Sequence, residues 1–125
     1  ESLYSVEGTG TFNVLVQNVA FNQKTINSNT TISPNGWYFP VFANYIRSSV
    51  RLILLRGQLA GQRVKIFGSS DHKIEIICKD DKLKKIFRLI KERKNTSQIS
   101  LSPTDPYNNV VEFIWDGYQW LVEFS

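Results

Sequence analysis

Cysteine and histidine occur once each, at Cys78 and His72, and methionine does not occur at all. A single thiol cannot form an internal disulfide, so the fold must stand on packing, and Cys78 reads as core filler. One histidine and one cysteine leave no redundancy for a zinc constellation or a Ser-His-acid or Cys-His nucleophile system. Ser69-Ser70-Asp71-His72 holds suitable residue types, but neighbours on a tight turn point in divergent directions, and a polar turn is the reading. The chain contains no Gly-rich phosphate loop, EF-hand loop or dinucleotide fingerprint, and apart from Asp80-Asp81 its carboxylates fall singly. The expectation is therefore a non-enzymatic protein without catalytic residues, metal or cofactor.

Long apolar runs are missing too. The longest, Leu52 to Leu55, is far short of the roughly 18–20 residues that span a bilayer, and no charged-then-apolar leader opens the chain, so no membrane insertion is expected. Without methionine, Glu1 is not an initiator; the expectation is a chain processed, trimmed from a tag or cut from something longer, with a cut fragment the favoured reading.

What is present is an aromatic-rich chain of single-domain length. Its 125 residues carry eight Phe, five Tyr and three Trp spread along the whole length, which suits one globular domain over 1–125. Charge is segregated. Residues 79–94 hold eight Lys or Arg against Asp80, Asp81 and Glu92, a local +5 within a total of +4. Residues 8–70 hold six bases and no acid, and residues 95–125 hold four acids and no base. Regions of opposite sign suggest a contact within the fold or between subunits.

Period-two alternation predicts a strand over Thr11 to Val19, and the Asn-, Ser- and Thr-rich stretch Asn22 to Asn35 reads as loop, with room for a short strand. Trp37 to Phe42 surrounds Pro40, which cannot donate a ladder hydrogen bond, and an edge strand or an extended segment fits. Ser49 to Leu55 and Gln62 to Phe67 read as strands joined by a glycine turn at Gly57 to Gly61. A second polar turn, Gly68 to Asp71, makes a hairpin with Lys73 to Cys78. Leu83, Ile86, Phe87 and Ile90 recur at helical spacing behind Asp80 and Asp81, and predict one amphipathic helix over about 82–94. Ile99 and Leu101 begin a strand, Pro103 and Pro106 interrupt, and Val110 to Trp115 and Trp120 to Phe124 flank Asp116-Gly117, a strong hairpin signal. The predicted fold class is mainly β, an antiparallel sandwich-like domain with one helix.

The predicted helix would carry Lys84, Lys85, Arg88 and Lys91 on its outer side. Such a stripe can meet phosphates, although a charge run is more often a solvated face. Trp37, Tyr38, Tyr107 and Tyr118 lie next to predicted turns and could stack on sugars, although large aromatics more often serve burial.

From Arg51 onward, about 75 residues, the layout resembles the C-terminal domains of viral and bacteriophage fibre or tail-spike proteins. The resemblance lies in Gly61-Gln62-Arg63-Val64-Lys65-Ile66, a polar turn, a strand from His72 to Ile77, and an ending of Val111 to Trp115, Asp116-Gly117 and Trp120. It implies a structural protein of the virion surface, a homotrimeric fibre head that attaches to a host receptor or glycan. The segregated charge and the strands that read apolar on both faces agree with self-association. The rival readings are a nucleic-acid-binding domain using the basic helix and a stand-alone carbohydrate-binding module.

Overall fold

In Arg63–Phe67, Val64 and Ile66 alternate with Arg63 and Lys65, and because successive side chains of a strand point to opposite faces, one face must be apolar. The computed structural model describes residues 24–26, 28–43, 47–68, 71–78, 87–105 and 109–124, and there Val64 and Ile66 are fully buried while Arg63 is exposed. The described residues hold eleven strands, most of them built on the same alternation: β1 (Lys24–Thr25), β2 (Thr30–Ile32), β3 (Tyr38–Phe42), β4 (Val50–Leu54), β5 (Arg63–Phe67), β6 (Ile74–Cys78), β7 (Phe87–Leu89), β8 (Lys94–Thr96), β9 (Gln98–Leu101), β10 (Val110–Trp115) and β11 (Trp120–Phe124). They form two sheets. The larger runs β1-β3-β5-β10-β11-β7-β8 and the smaller β2-β4-β6-β9.

The first six strands form a coil. Each connection from β1 to β6 crosses to the other sheet, so a strand pairs in parallel with the one two elements earlier. In the larger sheet Val41 lies beside Lys24 and Ile66 beside Val41; in the smaller, Leu52 lies beside Thr30 and Ile76 beside Leu52. The antiparallel β9 and β10 then end the parallel ladders, β9 against β6 and β10 against β5. The larger sheet continues through β11, antiparallel to β10, then β7, parallel to β11, and β8, antiparallel to β7.

The mainly β expectation holds, but the antiparallel pairing is corrected to a mixed one. The glycine turn at 57–61 and the polar turn before Lys73 do not close hairpins: β4, β5 and β6 alternate between sheets. Alternation reports which face is buried and is blind to which neighbour supplies the hydrogen bonds. The loop expected over 22–35 contains β1 and β2. The strand around Pro40 is not at an edge, since β3 has β1 on one side and β5 on the other. Ala43 N donates to Phe67 O and Arg63 N to Trp37 O, so the odd-numbered residues of β3 serve β5. Pro40 faces the other side, where its missing N–H leaves the β5 ladder intact.

The helix is corrected as well. Lys84 and Lys85 fall outside the described residues, but the second half of the predicted span is strand, turn and strand. Phe87 and Leu89 both enter the core, while Ile90, which a helix would have buried, is 45% exposed. Arg93, at φ 56°, closes the turn by donating its N–H to Leu89 O at 2.8 Å. Phe87 fits either period, and contact with Phe113, 5.1 Å between ring centroids, decides for the strand. No helix among the described residues is long and apolar enough to cross a membrane.

The core lies between the sheets. Val50, Leu52, Leu54, Ile74, Ile76, Ile99 and Leu101 face Phe39, Val41, Val64, Ile66, Val111, Phe113 and Trp120. At one end of the molecule, where β2 and β4 leave the smaller sheet and β3 and β5 enter the larger, the segment 55–62 folds over Trp115. A β-carbon on Gly57 would lie 2.3 Å from Trp115 Cγ. Gln62, 2% exposed, secures this loop: its Oε1 accepts from Gln58 N and its Nε2 donates to Gly36 O, both at 2.9 Å. Its backbone donates to Leu59 O and accepts from Trp115 N.

Gly57→Ala therefore forces the loop off the indole and is expected to cost about 1–3 kcal/mol, read as a lower urea midpoint at unchanged m. Gln62→Ala strands Gln58 N and Gly36 O and is expected to cost a similar ~1–3 kcal/mol. Amide exchange should localise its effect to residues 55–62 and 36–37, while protection in β6 and β9 stays as in the parent.

Candidate functional site

Three turns meet at the end secured by Gln62: the connection from β2 to β3, the 55–62 loop, and the tip between β10 and β11. The tip is fixed by its own sequence. Asp116 Oδ1 accepts from Tyr118 N and Gln119 N, both at 2.8 Å, and Asp116 N donates to Gln119 O. Gly117 sits at φ 105°, a left-handed conformation that suits glycine. The result presents Tyr118 81% exposed on a backbone held by hydrogen bonds.

Trp37 and Leu59 stand at the same end, 48% and 57% exposed. Trp37 lies beside Gly61, its Cζ3 3.8 Å from where a β-carbon there would be. Trp37 flanks β3 and Tyr118 extends β10, two strand positions away and so roughly 10 Å across the sheet. Between the 55–62 loop and the tip runs a cleft of about 380 Å³, lined by Arg56, Gly57, Gln58, Trp115, Gly117 and Tyr118. Of the four exposed large hydrophobic residues among those described, three are at this end, and Ile90 is at the other.

The expected site residues therefore divide. Trp37 and Tyr118 come together. Tyr38 is half-buried on the outer face of the larger sheet, and Tyr107 lies outside the described residues. Arg88 lies on β7 and donates from NH1 to Asn95 Oδ1 at 3.1 Å. Lys91 is exposed in the turn after β7, at the far end from Tyr118. Over the described residues these two do not share a helical stripe. Leu59 was not anticipated, although a leucine isolated between Gly57 and Gly61, with no period to join, is a signal for exposure. Gln62 was also missed.

A second, polar cleft of about 480 Å³ lies over the smaller sheet, bordered by Asn29, Ser49, Val50, Arg51, Lys73 and Glu75. Its carboxylate is engaged: Glu75 receives Arg51 Nε at 2.9 Å and the Gln98 side-chain amide, with Lys73 Nζ at 3.9 Å. His72 precedes β6 and Cys78 ends it, so the strand holds them roughly 20 Å apart, too far for a Cys-His pair. Cys78 Sγ instead faces Ser97 O at 3.7 Å. Among the described residues no group of three His, Cys, Asp or Glu side chains could hold a metal ion.

No family model, no curated protein and no solved structure matches this chain.

Proposed function

We propose that this chain is a non-enzymatic head domain of a virion surface or fibre protein, which assembles as a homotrimer and attaches to a host receptor or glycan through the end bearing Trp37, Leu59 and Tyr118. The observation that carries the reading is the gathering of three exposed apolar side chains on turns held by Gln62 and Asp116. Exposed apolar surface costs solubility, and apolar side chains gathered at one end mark a place where another molecule binds. Rigid turns lower the entropy lost on binding, because little remains to be ordered. At one end the parallel ladders give way to the antiparallel β9 and β10, so the coil does not repeat beyond β6.

The nucleic-acid reading loses its basis over the described residues, since Arg88 and Lys91 sit on a strand and a turn. Binding of duplex DNA, measured by fluorescence anisotropy, should be weaker than about micromolar and vanish near ~0.2 M salt.

For the head reading, light scattering coupled to size exclusion should give three times the 14.4 kDa protomer mass at micromolar concentration. A mass of 14.4 kDa at every concentration would remove it. On a printed glycan array, Trp37→Ala/Tyr118→Ala should lose the parent's signal while keeping its mass and melting temperature. A signal unchanged in this variant would move attachment away from this end.

A further inference from the structure

The outer face of the larger sheet has a composition that a solvated sheet does not need. Its rows can be followed strand by strand through the registers. One row reads Phe42, Phe67, Val110; the next Pro40, Lys65, Glu112, Glu123; the next Tyr38, Arg63, Ile114, Leu121, Arg88. Apart from Pro40, which is buried, the apolar members are half-buried, and Phe42 stacks on Phe67 at 5.1 Å between centroids. An antiparallel sheet with one face in water normally turns polar residues outward, so this face reads as half of an interface.

Its charges fall in bands along the strand order, Arg63 and Lys65 on β5, Glu112 and Glu123 on β10 and β11, and Arg88 on β7, with Lys91 lining a cleft beside Glu123. Glu112 and Glu123 are direct cross-strand partners, a like-charge pairing that destabilises a sheet. Arg63 relieves one of them, through Nε to Glu112 Oε2 at 2.9 Å. Among the described residues Glu123 has no ion-pair partner, and Lys65 places its Nζ 5.4 Å from the Phe67 ring centroid rather than on an acid. Lys65 on β5 and Glu123 on β11 are thus left without an ion pair among the described residues, in a row where Glu112 stands between them and apolar side chains fill the neighbouring rows.

We propose that protomers associate through this face, the β5 half of one against the β11 half of the next, with Lys65 of one copy meeting Glu123 of its neighbour. The proposal rests on the assembly reading above and names its surface. A second copy is the occupant because both signs lie on the same face. Each copy gives its β5 half to one neighbour and its β11 half to the other, a head-to-tail contact that closes into a ring such as a trimer, whereas a mass of two protomers would mean the two-fold, self-complementary contact instead. The loop end with Trp37 and Tyr118 stays outside the contact.

The experiment is a charge exchange on the full chain, read by light scattering and sedimentation. Glu123→Lys and Lys65→Glu should each raise the dissociation constant about tenfold or more, and the double exchange should recover it. Glu123→Lys places a cation opposite Glu112 within its own sheet, so its melting temperature should hold or rise, which separates lost association from lost folding. Tyr118→Ala should leave the mass unchanged. An oligomeric parent whose single variants associate as well as it does would overturn this surface and leave the assembly reading standing. A monomeric parent would overturn both.

Discussion

The Trp120 indole joins parts of the molecule that no ladder connects. It is fully buried, stacks edge-on against Trp115 and Phe113 at 5.1 and 6.3 Å, and donates Nε1–H to Leu55 O at 3.1 Å. Leu55 follows β4 in the smaller sheet, whereas Trp120 opens β11 in the larger. One side chain therefore ties the sheets together where the chain leaves one for the other. A buried indole N–H without a partner would be costly, so the position of Leu55 is set by Trp120 as much as by its own strand. From Leu55 the loop must pass over Trp115, where only a glycine fits, and then meet Gln62. The surface bearing Trp37, Leu59 and Tyr118 follows from that chain of constraints.

Most strands are legible before the structure because their apolar residues alternate. The β10–β11 hairpin is legible as a hairpin, since Asp116-Gly117 marks a turn between two alternating runs, but a two-residue Asp-Gly turn would pair Trp115 with Tyr118, whereas the four-residue turn pairs it with Trp120. Pairing elsewhere is not legible, for a physical reason. Val64 and Ile66 must face a core, but nothing in Arg63–Phe67 says whether the hydrogen bonds go to the next strand or to one a full coil away. Phe87 shows the limit in another form. It satisfies a helical period with Leu83 and Ile90 and a strand period with Leu89, and only the aromatic neighbours brought by β10 and β11 separate the two.

The candidate site is half legible. Exposed aromatics beside turns can be picked out, and Trp37 and Tyr118 are such residues. Their coming together cannot, because it depends on β3 and β10 flanking β5 in the larger sheet. Gln62 carries no signal at all: a glutamine at the head of a strand is ordinary, and its role comes from two backbone partners, Gln58 N and Gly36 O, supplied by different loops.

The segregation of charge along the sequence also has a structural account, and it divides in two. Basic β5 is laid beside acidic β10 by the fold itself, so Arg63 and Glu112 meet within one chain, about half of Arg63's side chain remaining in water. An exposed pair of this kind contributes at most about 1 kcal/mol, too little to explain why signs were kept apart over so many residues. Alternating charges would have served a solvated sheet as well, without setting Glu123 opposite Glu112. The arrangement makes sense if Lys65 and Glu123, which make no ion pair among the described residues, are matched outside the protomer. Desolvation by the apolar side chains around them would then strengthen an interaction that water screens on the isolated sheet.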